Sequence, residues 1–184
     1  MFFICLALQI EIISFVPPLP QFISQAALLT FGCAISSLTE DVLTRGYLYR
    51  HTKNKCSKPA LVLFSALVYA LNHIHRLNEP VYFLYALVLG VQLMLPLVIT
   101  KNICYSFGVH LAGNIVYHLT NSVMHTADGS NPFPGIGVAI IFAVLSIPLH
   151  YFVGKQLTDG KAKKELFPLQ RHSSPRIRHS SRLV

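Results

Sequence analysis

Two carboxylates and an arginine stand where the chain is otherwise oily. In LTEDVLTRGY (residues 38–47), Glu40 and Asp41 end a run without a charged residue from Ile12 to Thr39, and Arg45 follows. On a helix Asp41 and Arg45 are i,i+4 with the acid N-terminal, the favourable order for an ion pair. That pairing occupies Asp41 and leaves Glu40 without a dedicated partner, free to serve as a general base toward water. A plainer reading competes: Ser37-Leu38-Thr39-Glu40 has capping-box spacing, and acids favour the first turn of a helix. A cap accounts for one or both acids but not for Arg45.

Further along, His110 and Asn114 are also i,i+4, so they share one helical face. Such a face often does no more than hydrogen-bond to a neighbouring helix. His73 closes the segment LVYALNH, and His118 repeats the His110 face two turns on as a bystander. Asn121 and His125 have the same spacing beside a polar loop, which shows how little a lone pair says. Taken together, Glu40, His73, His110 and Asn114 supply a base, a second proton-handling group and donors for an oxyanion. Peptide hydrolysis needs that set. Other intramembrane hydrolases fit less well. There is no HExxH helix, Gly129-Ser130 lies in a loop, and Gly135-Ile136-Gly137 is followed by Val138 rather than aspartate.

The series Glu40-Asp41-x-x-x-Arg45-Gly46, Tyr69-x-x-x-His73 and His110-x-x-x-Asn114 resembles the CPBP family, the CAAX proteases and bacteriocin-processing enzymes also called the Abi family. Its patterns are EExxxR(G), FxxxH and HxxxN/D in that order, and the likeness covers about residues 25 to 125. The resemblance implies an intramembrane endopeptidase of the glutamate type. Glu40 with His73 would then activate water, His110 and Asn114 would stabilise the oxyanion, and Asp41 and Arg45 would hold the site together. It implies no metal cofactor, although a divalent ion such as zinc stays open. The implied substrate is a peptide or protein, prenylated in the CAAX members. Asp41, Thr44 and Tyr69 depart from the family's usual Glu, Phe and Phe. The alternative from another class is a catalytically inactive scaffold or bacteriocin-immunity-type protein of the same fold; an ion-conducting site built from the same charges is a third.

Apolar helices must position these groups. Of the 184 residues, 53% are hydrophobic and 12% charged, with a mean hydropathy of +0.52. That composition is a membrane protein's. Six apolar segments can be drawn, at about 1–17, 21–50, 60–77, 81–99, 104–124 and 135–153, against the roughly 20 residues that cross a hydrocarbon core. The expected fold is an all-α polytopic membrane helix bundle of about five to six hydrophobic helices with the site inside. Its layout is a short or incomplete N-terminal membrane segment (1–20), a protease-like core (21–155) and a basic, disordered tail (156–184).

Of the 15 Lys and Arg, none precedes Arg45, four lie within Arg50–Lys58 and eight from Lys155 onward. The net charge of +8 therefore reads as a cytoplasmic loop and tail facing anionic lipid, not as a nucleic-acid surface. The four cysteines form no CxxC pair and no disulfide framework. Straight helices in this topology would leave His73 and His110 on the order of 10–15 Å apart along the membrane normal. Tilted, staggered or short helices, or a break at Gly90 or Pro96, would close that gap.

Overall fold

The computed structural model describes the backbone of residues 1–166 and the side chains of residues 1–160. In chain order the elements are α1 (Phe2–Ala7), β1 (Glu11–Phe15), α2 (Leu19–Asp41), α3 (Leu48–Thr52), α4 (Lys58–Leu71), α5 (Pro80–Thr100), α6 (Ile103–His118), β2 (His125–Asp128) and α7 (Gly135–Leu166). A π-helical turn, Val42–Tyr47, joins α2 to α3 without a break, and a second, Leu119–Val123, closes α6. The fold is helical, as the apolar segments predict.

The α2–α3 helix runs 34 residues, Leu19–Thr52, about 51 Å at 1.5 Å per residue. It begins behind Pro18 and carries Pro20 in its first turn, where a missing N–H costs nothing. This helix, α5 and the Gly135–Gly160 part of α7 are long and apolar enough to cross a membrane. Their outward side chains, among them Leu28, Phe31, Leu145 and Phe152, are exposed. In water that surface would be an aggregation liability; in a bilayer it faces hydrocarbon.

The core lies between α4 and α5. Leu61 and Val62 pack on Met94, Leu97 and Val98, while Tyr69 and Ala70 pack on Ala86 and Leu93. The two helices are therefore antiparallel, and they approach closely at Gly90. A Cβ at residue 90 would lie 2.7 Å from the Ala66 Cα. Gly90→Val is accordingly expected to cost about 1–3 kcal/mol through overpacking, read as a lower Tm in detergent. Gly113→Ala, whose Cβ would meet nothing within 4 Å, is expected to leave Tm unchanged or slightly raised. Equal Tm values for the two variants would contradict this packing.

Helix α7 is tied on by polar groups as well. The His150 ring is 3.1 Å from the Gln92 amide and 2.9 Å from the Tyr105 hydroxyl, linking α7 to α5 and α6. Ionisable and amide side chains in an apolar span need such partners.

Two expectations change here. The first apolar segment, 1–17, forms a six-residue helix and a strand rather than a membrane-length helix. Helix α1 ends before Gln9, which has φ of 54°, and the β-branched pair Ile12-Ile13 enters an antiparallel two-stranded sheet. There Glu11 pairs with Asp128, Ile12 with Ala127 and Ile13 with Thr126. At the other end, α7 continues past residue 155 to Leu166. Its segment GKQLTDGKAKKEL is rich in good helix formers, so the helix extends beyond the bundle. The remainder of the tail expected to be disordered, residues 167–184, lies outside the described residues.

Short helices bring the end of α4, which precedes His73, against the middle of α6. Helix α4 has 14 residues and α6 has 16, about 21 and 24 Å. Helix α5 stays continuous through Gly90 and Pro96, so no break is needed. The C-terminal turn of α4 reaches the middle of α6, where the Tyr69 and His110 rings are 5.9 Å apart.

Candidate active site

Three elements meet at the site: the end of α2 with its π turn, the middle of α6 and the last turn of α4. Asp41 and Arg45 are both fully buried, and Arg45 Nη1 donates to Asp41 Oδ1. The pairing predicted from their spacing is present. Burial gives this pair no cheap alternative: two charges leave water together or not at all. The Arg45 guanidinium also lies over the Tyr69 ring, 4.6 Å from its centroid, a cation–π contact in a dry setting. Asp41 Oδ2, Arg45 Nε and Arg45 Nη2 are buried without a hydrogen-bond partner among the described residues.

The π turn begins at Val42, directly after Asp41. In a π turn the backbone bonds span five residues instead of four, and two hydroxyls also donate to carbonyls here. Thr44 Oγ1 donates to the Glu40 carbonyl at 2.7 Å, and Ser65 Oγ on α4 donates to the Thr44 carbonyl at 2.9 Å. Gly46 lets α6 approach, since a Cβ there would sit 2.9 Å from Ile103 Cδ1. These local bonds fix the direction in which Asp41 and Arg45 point.

Helix α6 runs antiparallel to α2, and its i,i+4 pair meets an i,i+4 pair on α2. His110 Nδ1 is 3.0 Å from Asp41 Oδ1, and Asn114 Nδ2 donates to Ser37 Oγ at 2.9 Å. Ser37 is fully buried. It is no helix cap: α2 passes through residues 37–41 without starting there, so the capping-box spacing is coincidental. Ser37 was legible only as a cap residue. The signal for its site role was its four-residue spacing from Asp41, which matches that of His110 and Asn114.

Glu40 faces another way. Its side chain is 32% exposed, Oε1 is 3.4 Å from Ser36 Oγ, and Oε2 is 3.7 Å from His110 Nε2. One acid is therefore locked inside while its neighbour opens toward solvent beside a histidine.

His73 lies just past α4. Its Nδ1 is 2.9 Å from the Tyr69 carbonyl oxygen, and its ring stacks 4.9 Å from the Tyr69 ring. Among the described residues no hydrogen bond joins His73 to Glu40, His110 or Asn114; the Tyr69 ring packs against both His73 and His110. His118 contacts Ser122 instead, Asn121 bonds the Tyr117 carbonyl, and His125 sits in β2. Among the described residues, no three His, Cys, Asp or Glu side chains are grouped to hold a metal ion.

Residues 22–116, just over half of the 184, match the family model described as type II CAAX prenyl endopeptidase Rce1-like. No curated protein and no solved structure matches the chain. The matched stretch runs from α2 into α6 and holds Glu40, Asp41, Arg45, His73, His110 and Asn114. A protease family, a helical membrane fold and a buried acid–arginine–histidine cluster thus coincide in one stretch, and the chain belongs to the Rce1-like family of type II CAAX prenyl endopeptidases.

Proposed function

We propose that this protein is an intramembrane endopeptidase in which Glu40 activates the water that cleaves a peptide bond. The observation that carries the reading is the division of labour between adjacent acids. Asp41 is consumed by Arg45 and His110, whereas Glu40 is partly exposed and 3.7 Å from His110 Nε2. Asn114 spends one amide hydrogen on Ser37 and keeps a second for an oxyanion. His73 has its Nδ1 engaged by a carbonyl, which leaves its Nε2 to handle a proton.

The substrate would be a peptide or protein cut close to the membrane, with a prenylated CAAX tail as the first candidate from the family's description. The chain would be multi-pass. The basic stretch from Arg50 in α3 through Lys53 and Lys55 to Lys58 at the start of α4 lies at the same end as Lys101 and Lys155, consistent with a cytoplasmic face for all of them. Purified protein in liposomes is expected to cut a prenylated CAAX peptide faster than its unprenylated twin, with products identified by mass. We further propose that no metal takes part. A chelator is expected to leave the rate within about twofold, a small fraction of the several kcal/mol a Lewis-acid metal supplies. Loss of activity on chelation with restoration specific to zinc would contradict that.

A further inference from the structure

We propose that the cleft between α1 and the first turns of α7 binds an acyl chain of a zwitterionic phospholipid, in the leaflet away from the Arg50–Lys58 stretch. The proposal is independent of the Glu40 site. Ile4 and Leu8 of α1 line one side of the cleft, and Val138, Ile141, Phe142 and Leu145 of α7 line the other. Its volume is about 470 Å³, within the range of roughly 300–1,000 Å³ for ligand sites. The buried cluster of Cys5, Ile10 and Val138 ties the two walls together. Apart from Val138 these lining side chains are exposed, so no side chain among the described residues fills the cleft.

Depth follows from the backbone. Among the described residues β1 and β2 pair only with each other, so each keeps one edge of unpaired N–H and C=O groups. Hydrocarbon cannot satisfy such an edge, which places the sheet at the membrane surface, within reach of water. The apolar span of α7 begins at Gly135, shortly after β2 ends at Asp128. From Gly135 to Leu145 the helix rises about 15 Å, and half of a hydrocarbon core of ~30 Å is also about 15 Å. The cleft therefore runs the depth of one leaflet, and its α7 wall continues into the lipid-facing surface of that helix. Left empty, it would forfeit contacts along both walls, and water would find no polar partners along them. At that depth the neighbouring medium is acyl chain.

Charge at the mouth selects the headgroup. Asn131 Nδ2 donates to the Leu8 carbonyl, and the Phe133 N–H donates to Asn131 Oδ1, both at 3.0 Å, which ties the end of α1 to the β2–α7 loop. One amide hydrogen of Asn131 is left over, a donor at the level of a lipid's ester carbonyls. No Lys or Arg lies in residues 1–44 or 102–154. Arg76, at the same end on the α4–α5 loop, is paired with Glu79. Glu11 and Asp128 stand opposite each other across the sheet and line a neighbouring cleft. An anionic headgroup would meet these carboxylates without a compensating cation, whereas a zwitterionic one brings its own ammonium group to them. The end with Arg50, Lys53, Lys55 and Lys58 has the reverse preference.

The chain contains no tryptophan, so a single introduced indole reports alone. Phe133 lines the mouth of the cleft. In detergent micelles, Phe133→Trp fluorescence is expected to fall saturably as phosphatidylcholine brominated in its acyl chains is added, levelling off near one lipid per protein. Phe31→Trp, on the exposed face of α2, is expected to fall only in proportion to the lipid-to-detergent ratio. Phosphatidylglycerol brominated in the same way is expected to bind about fivefold more weakly. Leu8→Asp puts a carboxylate into the cleft at an exposed position. It is expected to raise the half-saturating lipid concentration of the Phe133→Trp protein about tenfold with Tm unchanged. Native mass spectrometry of the unaltered chain is expected to show one retained phospholipid. Quenching at residue 133 that merely tracks residue 31, saturation untouched by Leu8→Asp, equal affinity for the two lipids, or no retained lipid would overturn the proposal. So would displacement of the brominated lipid by a farnesylated peptide at a lower concentration than by unbrominated phosphatidylcholine, which would assign the cleft to a prenyl chain.

Discussion

Glu40→Gln is expected to lower kcat for peptide cleavage by about 10²–10⁴-fold, the range general-base catalysis contributes, while insertion and folding are unchanged. Glutamine keeps the length and shape of the side chain and removes its capacity to take a proton. The fold has little stake in the charge. Glu40 is a third exposed, and its nearest polar neighbours are Ser36 at 3.4 Å and His110 at 3.7 Å. Thermal unfolding of the variant in detergent is therefore expected to overlay that of wild type. The experiment also separates a protease from an inactive scaffold of the same fold, which would tolerate Glu40→Gln and instead lose function when outward helix faces are changed. Wild-type turnover by a folded Glu40→Gln protein would remove Glu40 from the mechanism.

The neighbouring pair behaves in the opposite way. Arg45→Met strips the counter-charge from a fully buried Asp41 and is expected to destabilise the protein by about 3–5 kcal/mol. A large fall in Tm, poor yield and loss of activity should appear together. The double variant Asp41→Leu/Arg45→Met removes both charges, and apolar replacements for a buried pair are often neutral. It is expected to regain much of the lost stability but no activity, because His110 then lacks the carboxylate that holds its Nδ1. Three polar atoms of the pair lack partners among the described residues, a poor arrangement for stability alone. That fits a pair retained for what it positions. If Arg45→Met unfolds at the wild-type temperature, the pair is not what anchors the end of α2.

Parts of this site were legible because charge is so scarce in the chain. Where only 12% of residues are charged, helical spacing alone paired Asp41 with Arg45 and put His110 and Asn114 on one face. Contacts between helices were not legible, because they depend on stagger. Nothing in one dimension says that Asp41 meets His110, that Ser37 meets Asn114, or that a 14-residue α4 stops short enough to bring Tyr69 against His110. The π turn at Val42 was hidden as well, since no residue pattern specifies it and its carbonyls are bonded partly by Ser65 from another helix. Segment 1–17 looked like a membrane segment because hydrophobicity reports burial, not the φ reversal at Gln9 or the strand that follows. His150 carried a usable signal that went unread. An ionisable residue inside an apolar segment calls for a partner, and Gln92 and Tyr105 are its partners.

The central claim is that this chain cuts a peptide bond with a water activated by Glu40. Its most direct test is a single-turnover cleavage of a prenylated CAAX peptide by purified protein in liposomes made up in ¹⁸O-water, with the new C-terminus weighed by mass spectrometry. The expected result is one ¹⁸O in the new carboxylate for wild type and no labelled product for Glu40→Gln over the same period. Labelled product formed equally fast by both proteins, or an intact peptide with wild type, would contradict it.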